Sequence, residues 1–244
     1  MKKKINNPMI ILCGGRGKRM GKLTSNIPKP MIKIGGKPII QQKINYYQSQ
    51  GVNNFIFCLG YKSKILKKFL LKKNKNNVFD DAGIKPGILK RIFLVKSKIL
   101  KPTLISYGDT LAKINLRSLI AKHIKSKCTM TIVVAPIKNP FGLVNWNAKG
   151  MAIKFDEKPT LNHFIGYAVI SPNFFKKINK SIINLSDGKG IIQAINFLIK
   201  KRQVNVYKYN DLQVTINSPD ELKDAKIKYN KYFTIWTILK IKKF

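Results

Sequence analysis

The residues best suited to chemistry begin with a glycine-rich segment and the cations that follow it. Cys13-Gly14-Gly15-Arg16-Gly17-Lys18-Arg19-Met20 leads into Leu23-Thr24 and then Pro28-Lys29-Pro30-Met31. Glycines directly after an apolar run let the backbone approach a ligand closely, and their N–H groups can point at phosphate oxygens. Arg19 and Lys29 would add charge-assisted contacts to such oxygens. The spacing is neither G-x-x-x-x-G-K-[ST] nor G-x-G-x-x-G, so neither of those phosphate loops is indicated. A plain glycine turn would account for the glycines alone, but not for the joint pattern of glycines, Arg19, Leu-Thr and Pro-Lys-Pro.

Acid is scarce, which narrows the search for a metal ligand or general base. The carboxylates are Asp80, Asp81, Asp109, Asp156, Glu157, Asp187, Asp211, Asp220, Glu221 and Asp224. Asp109 closes the run Leu104-Ile105-Ser106-Tyr107-Gly108, at the carboxyl end of an expected buried strand, where open α/β sheets bind ligands. A turn or cap role is the competing reading for an aspartate after glycine. Glu157-Lys158-Pro159, taken alone, reads as a surface turn. Three cysteines (Cys13, Cys58, Cys128) and two histidines (His123, His163) are too few and too scattered for a disulfide framework or a zinc cluster. Cys13 reads as packing, His123 as a surface position on a helix, and His163 as a turn residue or a ligand contact. Neither histidine has a serine or cysteine partner that would suggest a nucleophile.

The elements that must position these groups follow from periodicity. Residues 8–13 read as a buried strand and 14–36 as a long loop. Pro38 opens a helix over 37–50, with Ile39, Ile40, Ile44 and Tyr47 at helical spacing, and Gly51 ends it. Residues 53–58 read as a strand and 62–73 as an amphipathic helix, giving a βαβ pattern with parallel strands and helices on the faces. A polar stretch covers 74–87. Helices are expected over 88–96, 115–124, 172–180, 189–201 and 218–229, the last opened by Ser218-Pro219 with Asp220 and Glu221 in its first turn. Strands are expected over 102–106, 129–135, 203–208 and 212–216, with short antiparallel additions between 141 and 170. One domain spans 1–231, and an apolar, lysine-flanked tail follows at 232–244. Its core, 232–239, is too short to cross a bilayer and reads as a docking strand or oligomer contact, or else as a membrane-surface contact.

Lysine and arginine total 48 against 10 acids, a net charge of +38. The lysines are spread along the chain among many Asn and Ile, which reads as a solvated basic surface rather than a dedicated nucleic-acid face. Apolar residues make up 44%, enough for a sizeable core. The sequence shows no secretory signal and no membrane-length apolar run, so a reducing cytoplasmic setting is expected.

The run GGRGKRMGKLTSNIPKPMIKIGGKPII resembles the signature of sugar-1-phosphate nucleotidyltransferases. IGGKPIIQQKINYYQSQGVNNFIFCLGYKSKILKKF and LISYGDTLAKINLRSLIAKH look most like the glucose-1-phosphate cytidylyltransferases among them, as do PFGLVNW and FDEKP. The similarity spans about residues 8–225. It implies an α/β fold with a Rossmann-like mixed, mostly parallel central sheet and helices on both faces, of the nucleotide-diphospho-sugar transferase type. It also implies a reaction: a sugar-1-phosphate oxygen attacks the α-phosphorus of a nucleoside triphosphate, most readily CTP with glucose-1-phosphate, and pyrophosphate leaves. On this resemblance Gly14, Gly15, Gly17 and Gly108 line the nucleotide and Gly87 lies near the base. Arg19 holds the triphosphate, Lys29 sits near the α-phosphate, and Asp109 binds Mg2+. Gly142 and Gly166 face the sugar, Glu157 a sugar hydroxyl and Lys158 the sugar phosphate.

Three departures from the pattern bear on substrate and metal. Where the family carries a second metal-binding aspartate, this chain has Thr215-Ile216-Asn217, so Thr215 or Asn217 would supply a neutral oxygen. Phe164 stands where an asparagine would precede Gly166, and the segment around Gly87 is short. Alternatives that remain are GTP or another nucleotide with a mannose, heptose or non-sugar phosphate, and a nucleotide-binding homologue with weakened catalysis. A homo-oligomer fits either.

Overall fold

The structure, a computed structural model, describes residues 4–72 and 77–227. The expected tail and the end of the last helix therefore lie outside the described residues.

The chain opens with β1 (Met9–Leu12), four consecutive apolar residues. An uninterrupted run of this kind suits a strand covered on both faces. A loop with two short 3-10 segments, Lys18–Thr24 and Lys29–Met31, leads to the small hairpin β2 (Lys33–Ile34) and β3 (Lys37–Pro38). Then come α1 (Ile39–Ser49), β4 (Phe55–Leu59), α2 (Ser63–Leu71), β5 (Val78–Asp81) and α3 (Ile88–Leu94). Next are β6 (Thr103–Tyr107), β7 (Thr110–Ala112) and α4 (Leu116–Ser126), whose N-cap Asn115 accepts a bond from the Ser118 amide. β8 (Met130–Lys138), β9 (Leu143–Trp146), β10 (Ala152–Asp156) and β11 (Thr160–Ile170) form the antiparallel part. After the single turn α5 (Phe174–Lys177) come α6 (Lys189–Lys200), β12 (Val204–Lys208) and β13 (Gln213–Thr215). A last helix runs over 219–227.

The central sheet has the order β12-β8-β11-β6-β1-β4-β5. β6, β1, β4 and β5 run parallel, β12 runs parallel to β8, and β11 is antiparallel to both of its neighbours. The sheet is thus mixed and mostly parallel, as the resemblance implies. Alternation along the strands builds two cores. Met9, Ile11, Phe55 and Phe57 pack with Ile40, Ile44 and Tyr47 of α1, Leu66 and Leu70 of α2, and Leu116 and Leu119 of α4. On the other face Ile10, Ile56 and Ile105 pack with Leu89 and Ile92 of α3 and Ile191, Ala194 and Leu198 of α6.

Several expectations need correction. The polar stretch 74–87 contains β5, whose residues pair with Ile56 to Leu59 of β4. β5 lies at the sheet edge and is only half-buried, so a strand ending in two aspartates is tolerated there. The helix expected over 172–180 is one turn of α5 followed by a 3-10 segment, Lys180–Asn184, that Asn179 caps. The loop 14–36 includes 3-10 turns and the first strand of a hairpin. His123 is not on the surface. It is buried between α4 and the sheet, with Nδ1 2.9 Å from Thr131 Oγ1 and Nε2 3.0 Å from Ser171 Oγ. Burial pulls its pKa down.

Candidate active site

The parallel strands β1, β4 and β6 end at one edge of the sheet, and each is followed by a turn containing glycine. Gly14-Gly15 follow β1, Gly60-Tyr61 follow β4, and Gly108-Asp109 follow β6. The strand ladders continue into these turns. The Gly108 amide donates to the Leu12 carbonyl at 3.0 Å, and the Tyr61 amide to the Gly14 carbonyl at 3.1 Å. Around them opens a cavity of about 600 Å³. Gly14, Gly15, Gly17, Arg19, Lys29, Gly87, Gly108 and Asp109 all line it. Gly17 has φ +64°, a left-handed conformation that brings the loop against Lys29, where a Cβ would sit 3.2 Å from the lysine Cβ. Thr24 Oγ1 donates to the Gly17 carbonyl at 3.2 Å, and Tyr61 Oη donates to the carbonyls of Thr24 and Ser25 at 2.9 and 3.0 Å. The loop is therefore tied down at its far end.

The cavity wall holds a cluster of two cations and two oxygen-bearing side chains. Lys29 Nζ lies 2.5 Å from Asp109 Oδ2 and 3.4 Å from Asn217 Oδ1. Arg19 also donates to Asn217 Oδ1, at 3.0 Å. β13 pairs with β7 so that Thr215 faces Thr110, and the Ile216 amide donates to the Asp109 carbonyl at 3.3 Å. This pairing brings Asn217 to the cluster. Of the two neutral oxygens considered from the sequence, Asn217 is the one that arrives. The Thr215 hydroxyl is 3.2 Å from Thr110 Oγ1 and donates to Gln213 Oε1 at 3.0 Å. Ile216 is buried beside Met20 and Leu222. The 219–227 helix holds Asn217 by its backbone: Glu221 Oε2 accepts from the Asn217 amide, and Ser218 Oγ accepts from the Glu221 amide at 3.2 Å.

Arg91 is a lining residue that the sequence reading missed. Its guanidinium is buried under Gly14 and donates to the carbonyls of Leu59 and Gly83, the latter at 2.7 Å. Burial lowers its pKa, against the opposing effects of Cys58 and Asp80. Arg16, Lys18, Arg19, Lys29 and Arg91 thus face the cavity with two carboxylate residues, Asp109 and Asp187. That excess of positive charge suits a polyanion. Cys13 also lines the cavity, but it is buried and its thiol is pushed up by burial and then by Cys58, which suits packing.

The residues assigned to the sugar lie elsewhere. Gly142, Glu157 and Lys158 belong to the antiparallel ribbon β9–β10 and its ends, and they do not line the cavity. Gly142 meets Phe155 and Glu157, and Glu157 pairs with Lys158 at 3.5 Å with both side chains exposed. Gly166 packs closely on the Tyr107 ring, which does line the cavity, and Phe164 meets the same ring edge-on at 5.8 Å. His163 faces Gln213, Nε2 to Nε2, at 3.1 Å.

The donor set can be tested against a divalent cation. Among the described residues no three His, Cys, Asp or Glu side chains converge. Asp109 Oδ2 and Asn217 Oδ1 do share one point, now held by the Lys29 ammonium. One carboxylate and one amide oxygen, completed by phosphate oxygens and water, is a set that Mg2+ accepts.

Residues 8–212 match the family described as nucleotidyl transferase. A probable glucose-1-phosphate cytidylyltransferase of Bacillus subtilis is 31% identical, over 94% of this chain and 98% of its own. A D-glycero-alpha-D-manno-heptose 1-phosphate guanylyltransferase of Aneurinibacillus thermoaerophilus is 31% identical over 53% of this chain and 57% of its own. Among solved structures, HddC from Yersinia pseudotuberculosis complexed with GMP-PN superposes with a TM-score of 0.69. It is 21% identical and covers 91% of this chain and 99% of its own.

Proposed function

Because the chain belongs to the nucleotidyl transferase family, we propose that it joins a sugar-1-phosphate to a nucleoside triphosphate, with glucose-1-phosphate and CTP as the favoured pair. A phosphate oxygen of the sugar-1-phosphate bonds to the α-phosphorus, the α–β phosphoanhydride bond breaks, and pyrophosphate leaves with its electrons. Such a transfer asks the protein for alignment and charge neutralisation rather than covalent help. The observation that carries the reading is the cluster at the strand ends: Lys29 on Asp109, with Arg19 on Asn217, beside a glycine loop in a basic cavity. Arg19 holds the leaving phosphates. Lys29 shifts from Asp109 to the α-phosphate as negative charge develops there. Asp109, with Asn217 as its neutral partner, would hold Mg2+, which supplies further neutralisation of the phosphates when bound. Gly14, Gly15 and Gly108 let the nucleotide approach the sheet edge, Gly87 closes the base side, Gly142 and Gly166 face the sugar, Glu157 takes a sugar hydroxyl and Lys158 the sugar's phosphate.

CTP is favoured by the full-length Bacillus subtilis relative and by the runs 34–69 and 104–123. A guanylyl transfer to a heptose phosphate is the second reading, supported by the Aneurinibacillus thermoaerophilus relative, and Phe164 against Tyr107 in place of a polar contact supports an acceptor other than glucose-1-phosphate. Pyrophosphate release measured for four nucleotides against glucose-, mannose- and heptose-1-phosphates, with Mg2+, tests both. Turnover with CTP and glucose-1-phosphate, lost in Asp109→Asn, is the expected result. Turnover only with GTP moves the assignment to the second reading, and none with any pair overturns the function.

A further inference from the structure

α1 carries a lysine where its apolar stripe should continue. Ile39, Ile40, Ile44 and Tyr47 are buried, and so is Lys43, only 1% exposed. Among the described residues no carboxylate pairs with its ammonium. An ammonium taken from water without a counter-charge is costly. Methionine would fill much the same space without that cost.

What the ammonium does touch lies directly behind the Asp109 turn. Lys43 Nζ donates to the Thr110 carbonyl and, at 2.8 Å, to Tyr167 Oη. Tyr167 Oη donates to the same Thr110 carbonyl at 2.9 Å. Tyr47 Oη donates to Tyr167 Oη at 3.2 Å and lies 2.8 Å from Ser106 Oγ in β6. The Tyr167 and Tyr47 rings flank the ammonium at 4.6 and 5.5 Å, so part of the lost hydration is replaced by their π faces. Thr110 in turn donates from Oγ1 to Asp109 Oδ1 at 3.4 Å. A chain of contacts thus runs from a buried cation on α1, through Thr110 at the start of β7, to the carboxylate of the adjoining turn.

We propose that Lys43 is a positioning residue: through Thr110 and Tyr167 its buried ammonium fixes the turn that presents Asp109 to the phosphates. This rests on the nucleotidyl-transfer reading for its effect on rate, but not for its effect on the turn. Lys43 does not line the cavity and acts through Thr110 and Tyr167. It spends folding stability on the order of a loop whose geometry sets the reaction.

Lys43→Met in the full chain tests this with three readouts. Amide hydrogen exchange in the peptide 107–113 is expected to quicken at least about tenfold, while exchange in β1 and β4 stays as in the wild type. The thermal midpoint is expected to hold or rise, because a buried charge has been replaced by apolar bulk. Turnover is expected to fall about 10–100-fold with KM for the nucleotide within about threefold. Tyr167→Phe, which keeps the ring and removes one donor to Thr110, should move exchange in 107–113 the same way by less, and it carries the test if Lys43→Met does not fold. Unchanged exchange in 107–113, or faster exchange spread evenly over the sheet, overturns the proposal. If the wild-type protein releases no pyrophosphate with any pair, the proposed function fails while exchange still decides the role of Lys43.

Discussion

The cavity at the strand ends and the ribbon β9–β10 are built in contrasting ways. Around the cavity, backbone turns continue buried parallel strands, and key side chains that face it have partners in the fold: Lys29 has Asp109, Arg19 has Asn217, and Arg91 has two backbone carbonyls. In the ribbon every residue of β9 is exposed, and Trp146, Ile153 and Phe155 are each more than 60% exposed. Two strands without a third or a covering helix are marginally stable by themselves. The residues that would handle phosphate have partners already in place, whereas those of the ribbon that would handle the sugar are exposed. On this contrast, changes at the cavity should cost rate or stability steeply, and changes on the ribbon should act on the sugar substrate alone.

The largest expected effect is at Asp109. Asp109→Asn keeps the shape and removes the charge that Lys29 leans on, so turnover should fall about 10²–10³-fold, read as pyrophosphate release. A fall of less than threefold would place the chemistry outside the cluster and dissolve the contrast. Arg91→Met comes next. It leaves the Leu59 and Gly83 carbonyls without their donor inside the fold. The cost is about 2–4 kcal/mol, a midpoint lowered by roughly 5–10 °C, to be followed by thermal unfolding. A midpoint within about 2 °C of the wild type would mean that the cavity wall is not held in the way described.

Arg91 also shows what was legible in the sequence and what was not. The glycine loop, β1, α1, β4 and β6 all announced themselves, because apolar runs and glycines coincide with strand ends and turns. Arg91 and Lys43 did not, although the signal existed: each is a cation on the apolar stripe of a helix, beside Leu89 and Ile92 or between Ile40 and Ile44. A composition so rich in lysine hides such positions, since a cation on any helix looks like solvated surface. β5 was hidden by its two aspartates and an edge position. His123 reads as surface on α4 because only the docking of that helix on the sheet brings in its partners, Thr131 of the next strand β8 and Ser171, just past β11 and 48 residues away. Asn217 was weighed only as one of two neutral oxygens, and the β7–β13 register chose it over Thr215.

Within the cavity, two neighbouring glycines sharpen the point at a smaller scale. A Cβ on Gly14 would fall 2.3–2.6 Å from the Arg91 guanidinium, which two carbonyls prevent from retreating, whereas a Cβ on Gly15 meets nothing within 4 Å. Gly14→Ala should weaken nucleotide binding about tenfold and lower the midpoint, measured by titration calorimetry and thermal unfolding. Gly15→Ala should leave stability within about 0.5 kcal/mol. Equal midpoints for the two variants would show that the loop gives way, and that the cavity is less fixed than its hydrogen bonds indicate.

The smallest effect belongs to the ribbon's end and separates stability from substrate handling. Lys158 sits at φ +44°, a left-handed conformation that is unfavourable for a lysine. Its pair with Glu157 is exposed, so the ion pair adds little to stability. Lys158→Gly removes the ammonium and the backbone strain together. The relieved strain is partly offset by the greater freedom of glycine in the unfolded chain, so stability should stay level or rise by up to about 1 kcal/mol. KM for the sugar-1-phosphate should rise about tenfold while KM for the nucleotide is unmoved, read from initial rates with each substrate varied in turn. A rise in both constants would tie the ribbon to the nucleotide half. No rise in either would remove Lys158 from the site, and with it the assignment of the sugar's phosphate to the end of the ribbon.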